Sequence, residues 1–332
     1  MRRIISEQDA CSTNREINMV GYNPSPVRKA LIPKKEPGKL RAIFIPKEPD
    51  KEYQRKTLLP ELNEHINPHL AYNTFAYREG ISIVDVVSFL ERLILKGYNL
   101  VYKIDISKYY DNIDREILYG QLEPLVSEQY LEDIKRSIEV PYEYNGSLTY
   151  LDKGIYQGIP ISSTLSNLYL TDMDNLFQGD NEVYSLRYSD DILLVAKSKE
   201  KLKKAITKLK TELRKKGLWC EWKEARRSNL EIEETTYLGL RISKGDKGLR
   251  VRASSHAERD LKRKILEADS EEKIKDCIRS RLFHYTVGGR YLNYRHKAKR
   301  IVKDTLGADA WDRLFMEDWM TTPYGEWNDI RD

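Results

Sequence analysis

The chain has 332 residues, 40% of them apolar and 33% charged, with 57 basic against 52 acidic side chains for a net charge of +5. That composition supports an ample core under a charged surface, and no membrane-spanning helix is expected, because no run approaches the roughly 18 apolar residues that one needs. Cys11, Cys220 and Cys277 have no spacing suited to zinc or a disulfide framework, and the opening MRRIISEQDACSTNREI lacks the apolar run of a signal peptide, so the expected setting is a reducing cytoplasm with no membrane partner.

Taken in chain order, the elements read as mixed α and β. KALIPKKEPGKLRAIFIP reads as two short strands joined at Pro37-Gly38, a turn signal. Lys34, Lys35, Lys39 and Arg41 fall on this hairpin; the group reads either as a solvated tip or as a cluster that neutralises a triphosphate, with arginine the bidentate donor. SIVDVVSFLERLIL has helical apolar spacing. YNLVYKIDIS alternates as a strand, with Leu100, Tyr102, Ile104 and Ile106 on one face and Val101, Lys103 and Asp105 on the other.

GIYQGIPISSTLSN predicts a loop entering a helix with a serine N-cap. There Gly158 would allow close backbone approach to a bound base pair, and Gln157 could donate to template or incoming nucleotide. SSTLSNLYLTDMDNLF has helical spacing, and VYSLRYSDDILLVAK reads as strand, turn, strand with Asp190 and Asp191 at the tip. KEKLKKAITKLKTELRKKG predicts a basic amphipathic helix ending at Gly217. After the strand TYLGLRI a helical module is expected from near residue 252, opened by a capping box from Ser255 to Glu258 and continued by apolar repeats at Ile274, Cys277, Ile278 and Leu282.

Asp105, Asp190 and Asp191 converge if their strands are neighbours in one sheet. Left unpaired they would repel and raise one another's pKa; a pair of Mg²⁺ ions removes the conflict, because hard cations take oxygen ligands. Two such ions about 4 Å apart suit in-line phosphoryl displacement by a 3′-hydroxyl with pyrophosphate leaving. Tyr110, five residues after Asp105, supplies a ring that would exclude a 2′-hydroxyl beside a nucleotide sugar, where ordinary aromatic packing is the plainer reading.

In this order and spacing the motifs carry a family likeness: the chain resembles a bacterial reverse transcriptase over roughly residues 25 to 300. YKIDISKYYDNIDRE resembles the first palm motif, YQGIPISSTLSNLYL the second, YSDD the third and GLWCEWKE, loosely, the fourth; TYLGLRI resembles the primer grip, and KLRAIFIP and FAYREG the fingers. The resemblance implies Asp105, Ile106, Asp190 and Asp191 as metal ligands and Tyr110 as the sugar gate. It further implies Gln157 and Gly158 at the nucleotide, Arg41 with Lys34 and Lys39 at the triphosphate, and Lys223 as proton donor to pyrophosphate.

Tyr156 and Ser163 stand where the family usually has proline, which resembles the divergent abortive-infection and defence-associated lineages rather than group II intron or retron enzymes. The implied fold is an α+β right-hand polymerase with an antiparallel palm sheet. Its fingers span 1–95, its palm 96–245 with part of the fingers inserted near 115–150, and its helical thumb 246–332. No maturase, RNase H or nuclease motif is seen.

The implied activity is RNA-directed DNA synthesis from dNTPs with two Mg²⁺, Mn²⁺ being the alternative ion. The template would be a dedicated non-coding RNA in antiphage defence, held as an RNA–DNA duplex. A homo-oligomer stays open, as do untemplated or protein-primed synthesis, a retron-like or group II intron-like enzyme, a non-catalytic RNA scaffold and an RNA-dependent RNA polymerase, the last opposed by Tyr110. Tyr285, Tyr291 and Tyr294 interleave with Arg290, Arg295 and Lys297, a mix suited to tracking a nucleic-acid backbone, and the three tryptophans of the tail are expected to pack on the thumb.

Overall fold

The structure, a computed structural model, describes residues 21–34, 38–220, 226–246, 248–285 and 294–315. Its strands are β1 (Val27–Pro33), β2 (Leu40–Ile45), β3 (Leu100–Asp105), β4 (Tyr142–Tyr144), β5 (Ser147–Thr149), β6 (Val183–Tyr188), β7 (Asp191–Ala196), β8 (Arg226–Asn229), β9 (Thr235–Tyr237), β10 (Leu240–Gly245) and β11 (Gly248–Ala253). The helices are α1 (Glu48–Tyr53), α2 (Leu59–Ile66), α3 (Ile83–Leu95), α4 (Tyr109–Asn112), α5 (Arg115–Leu122), α6 (Glu128–Glu139), α7 (Ser162–Tyr169), α8 (Thr171–Asp174), α9 (Lys199–Lys215), α10 (Ser255–Glu267), α11 (Glu271–Tyr285), α12 (Arg295–Leu306) and α13 (Ala310–Phe315). The class is α+β with mainly antiparallel pairing, as the sequence implies. Among the described residues no helix is long and apolar enough to cross a membrane.

The chain divides into two compact units. One takes the described residues up to Tyr72, Ile106–Leu176 and Lys210–Trp219. Its sheet runs β2-β1-β4-β5, with β1 and β2 paired from Arg28↔Ile45 to Pro33↔Leu40 as the hairpin pattern predicts. Helical apolar spacing buries Leu58, Leu62 and Ile66, Leu118 and Leu122, and Ile134 and Ile138.

The other unit takes Asn73–Asp105, Phe177–Leu209 and the described residues from Cys220 onward. It holds the sheet β6-β7-β3-β8 and the three-stranded sheet β11-β10-β9. Ile192 to Ala196 of β7 are all buried, the continuous apolar run of a central strand. Its core gathers Val87, Leu90 and Ile94 of α3, Val101, Leu193 and Val195 of the first sheet, Ile242 and Val251 of the second, and Leu261, Ile278 and Val302 of the following helices. α3 opens on a capping box: the Ser82 hydroxyl accepts from the Val84 amide at 3.2 Å, and Asp85 accepts from the Ser82 amide at 2.8 Å.

Several local expectations shift. The cap of α10 is Ser254, accepting from the Ala257 amide at 3.2 Å, one residue before the expected Ser255, and β11 occupies the stretch just ahead of it. No serine caps α7: its N-cap is Ile161, and the Ser162 hydroxyl donates instead to the Tyr156 carbonyl at 2.6 Å. The helix expected across SSTLSNLYLTDMDNLF breaks at Leu170, whose backbone (φ −101, ψ 7) leaves the helical region before α8. Tyr294 is 1% exposed within the core, so it is a packing residue and not a surface stacking ring. Trp311 likewise packs in that core, against Phe315 at 4.8 Å between ring centroids. Tyr291, Arg290 and the other two tryptophans of the tail lie outside the described residues.

Candidate active site

β3 and β7 pair antiparallel from Leu100↔Ala196 to Asp105↔Asp191. Opposed residues on such a ladder leave the same face with Cβ atoms about 5 Å apart, so the two carboxylates are brought together by register alone. Like charges directly opposite are destabilising, and a cation relieves them: the Lys103 ammonium lies 3.2 Å from the Asp191 carboxylate. All three side chains are half-buried.

Tyr188↔Asp191 closes the β6–β7 hairpin, leaving Ser189 and Asp190 as a two-residue turn. Asp190 is therefore at the tip as expected, whereas Asp191 is the first residue of β7. Ser189 has φ +60 and Asp190 does not have positive φ, the pattern of a II′ hairpin turn whose first central position ordinarily takes glycine. For serine a positive φ of this kind is strained and costs about 1–3 kcal/mol.

The turn is held by neighbours. The guanidinium of Arg187, fully buried, donates to the Ser189 carbonyl at 3.1 Å. The Arg187 backbone amide donates to Asn73 O, and its carbonyl accepts from the Phe75 amide, both at 2.9 Å. The Tyr237 hydroxyl of β9 lies 3.3 Å from the Leu186 carbonyl and 3.5 Å from that of Asp191. Beyond it Leu238 (φ +51) and Gly239 (φ +78) form the turn closed by Tyr237↔Leu240, with both central residues left-handed as in a I′ hairpin. Burial raises the Tyr188 phenol above its ordinary range, with Tyr77 adding to the shift.

Carboxylates are the hard donors that Mg²⁺ takes, and Mg²⁺ is commonly held by one or two protein carboxylates with water and substrate phosphates completing the shell. The opposed Asp105–Asp191 pair, with Asp190 next in the chain, fits that donor set. Among the described residues no three His, Cys, Asp or Glu groups gather where they could hold a metal ion, so the structure brings Asp105 and Asp191 together but does not make Asp190 the third member of such a group. Ile106, the next residue after Asp105, is buried and is the first residue of the other unit's Ile106–Leu176 segment. Lys223 lies outside the described residues.

The remaining expected residues belong to the other unit. Tyr110 of α4 is 8% exposed; its ring meets Tyr109 edge-on at 5.6 Å and its hydroxyl is 3.3 Å from the Ser166 hydroxyl. Gly154 passes so close to this turn that a Cβ there would sit 2.6 Å from the Tyr110 carbonyl. Gln157 is half-buried and accepts from the Phe44 amide at 2.8 Å through its carbonyl, which ties its loop to β2. Gly158 has φ +115, and a Cβ there would lie 2.7 Å from Ile43 Cγ2 and 2.8 Å from the Phe44 carbonyl. The close approach that requires this glycine is thus to β2 itself. Lys34, Lys39 and Arg41 are exposed on the hairpin, whose ends are joined by the Lys34 amide donating to Lys39 O at 2.8 Å.

Sequence reasoning passed over Lys103, Arg187 and Tyr237. Lys103 was within reach, since it alternates with Asp105 on the same strand face. Arg187 carried no signal, because arginine in a strand is rarely fully buried.

No curated protein matches this chain. Solved structures of similar fold include apo telomerase from Candida tropicalis, with TM-score 0.58 at 17% identity over 87% of this chain and 57% of that one. Telomerase from Candida albicans in complex with the TWJ fragment of telomeric RNA is similar with TM-score 0.56 at 14% identity, over 85% of this chain and 55% of that one. The likeness at these identities is one of fold, and the chain spans little more than half the length of those telomerases. The reverse transcriptase (RNA-dependent DNA polymerase) family matches residues 32–242, a stretch that carries β2 to β9 and all three aspartates. The chain belongs to that family of RNA-directed DNA polymerases, which are nucleotidyltransferases.

Proposed function

We propose that the protein copies an RNA template into DNA from dNTPs, with Asp105, Asp190 and Asp191 as the metal-holding carboxylates. The observation that carries the reading is the register pair Asp105↔Asp191 beside the Ser189–Asp190 turn, inside the segment matched by the family. Mg²⁺ at these residues, two ions in this reading, would supply the Lewis-acid chemistry of in-line phosphoryl transfer.

The chain's own groups divide the work. The paired carboxylates and the Ile106 carbonyl bind and orient at the strand end. Arg41, with Lys34 and Lys39, neutralises the triphosphate. Tyr110 excludes the 2′-hydroxyl of a ribonucleotide. Gln157 and Gly158 position the nucleotide, and Lys223 donates the proton taken up by pyrophosphate.

In this reading the polymerase has fingers at 1–95, a palm at 96–245 and a thumb at 246–332, and it works in the cytoplasm. RNA as partner is supported by family membership and by the telomerase solved with an RNA fragment. Tyr156 and Ser163, departing from the usual prolines, favour the bacterial defence-associated lineage and a dedicated non-coding RNA.

The test is to purify the protein expressed with its native flanking DNA, and to sequence the bound RNA and DNA beside an Asp190→Ala/Asp191→Ala variant. A defined RNA with complementary DNA that vanishes in the variant supports the reading. DNA without a complementary RNA contradicts templated synthesis, and RNA in both proteins with DNA in neither contradicts an enzyme.

A further inference from the structure

Lys103 lies two residues before Asp105 on β3, so both side chains leave the same face of the sheet. The register sets Lys103 opposite Leu193 and Asp105 opposite Asp191, which makes Asp191 the diagonal neighbour of Lys103. The ammonium reaches that carboxylate at 3.2 Å, with 26% and 24% of the two side chains exposed, so the pair is shielded more than a surface ion pair. Leu193 opposite and Val101 before it on the same face are fully buried, and the lysine stem is thereby directed along apolar surface toward the strand end.

We propose that Lys103 is a tethered counter-ion for Asp191, a positioning residue that sets the affinity of the carboxylate pair for divalent cations. The inference rests on the metal-holding role assigned above to Asp105 and Asp191. Without a divalent cation the two opposed carboxylates repel, and the ammonium offsets that repulsion. With one, the ammonium is a third positive charge against the same oxygens and lowers the affinity. Lysine suits this role because its charge is compact and its stem flexible, so the ammonium withdraws without unpacking the strand. Neutralising Lys103 therefore has two effects of opposite sign, a less stable metal-free protein and tighter cation binding. A merely structural lysine gives the first effect with or without cation and gives none of the second.

The experiment uses the full chain, its Lys103→Met variant, which keeps the stem and loses the charge, and Lys103→Arg, which keeps the charge. Mn²⁺ binding is read by electron paramagnetic resonance of the free ion, and thermal melting is followed in EDTA and in saturating Mg²⁺. Lys103→Met should bind Mn²⁺ at least tenfold more tightly, the scale set by removing a unit charge about 6 Å from a divalent ion when the interaction is screened as in bulk water. Its melting temperature should fall in EDTA, and the gap should close in Mg²⁺, while Lys103→Arg tracks the wild type. Lys103→Gln carries the same expectations should the methionine variant fail to fold. Wild-type Mn²⁺ affinity in both neutral variants, or a melting gap unchanged by Mg²⁺, overturns the proposal. Absence of Mn²⁺ binding by the wild type itself overturns the metal-holding role first, and the two failures are thereby told apart.

Discussion

Asp105 and Asp191 are directly opposed partners at the end of the β3–β7 ladder, with the Ser189–Asp190 turn immediately beyond. Register, not loop placement, brings the charges together, so the pair is as rigid as the buried strand that carries it. Asp105→Asn should lower DNA synthesis at least a hundredfold, the scale of losing a key electrostatic group. Because one of two opposed like charges is removed, its denaturation midpoint in EDTA should be equal to or above that of the wild type. Primer extension and denaturant melts check the two halves.

Arg187 is the buried support of the turn. Arg187→Met strips the Ser189 carbonyl of its guanidinium donor in a site with no solvent access, and the loss should be about 2–4 kcal/mol by equilibrium denaturation. Arg187→Lys keeps the charge without the planar fork and should recover only part of it.

Gly158 and Gly120 form a matched pair of tests. Gly158→Ala forces a left-handed backbone and a Cβ into Ile43 and the Phe44 carbonyl, so it should cost about 2–3 kcal/mol and weaken nucleotide binding with it. Gly120→Ala, at an exposed position of α5 with nothing within 4 Å, should stabilise by about 0.5–1 kcal/mol. Thermal or chemical melts distinguish the signs.

Tyr110 separates ring from hydroxyl. Tyr110→Phe loses the 3.3 Å contact to Ser166, worth about 1 kcal/mol, and should keep selection against ribonucleotides. Tyr110→Ala should admit them. Single-nucleotide incorporation with rNTP and dNTP measures both, and unchanged selectivity in the alanine variant would remove the gate role.

Asp260 of α10 gives a pH signature. Burial opposes its ionised form, but the Arg263 hydrogen bond at 2.7 Å and the charges of Arg281 and Lys264 outweigh it and hold the carboxyl below its usual range. A folded pKa below the unfolded value of about 3.9 adds stability above that value, and the contribution is lost as pH falls through the folded pKa. Asp260→Asn should therefore melt below the wild type at neutral pH, with the gap narrowing as the pH drops below about 4.

Strong periodic signals translated directly from sequence to structure. The β1–β2 hairpin, the strand ending in Asp105, the hairpin before ILLVA and the helix ending near Gly217 all follow from side-chain alternation, helical spacing and turn residues. Position within a helix start was harder, because adjacent serines compete as caps: Ser254 and not Ser255 serves α10, and Ser162 turns back to Tyr156. Strained residues were illegible, since nothing in YSDD or TYLGL announces that Ser189 and Leu238 adopt positive φ. Tyr294 was misread because tyrosine beside arginine looks the same in a string whether the ring is buried or stacked. The placement of the three aspartates, at a strand end and a hairpin turn, was legible in the sequence, and the residues that support that turn were not.

The most direct measurement is primer extension on a defined RNA template with dNTPs and Mg²⁺, comparing the wild type with Asp190→Ala/Asp191→Ala. Templated synthesis at the three aspartates predicts template-complementary DNA from the wild type and none from the variant, with RNA binding retained by both. DNA made equally by both proteins, or wild-type product independent of the RNA supplied, would contradict it.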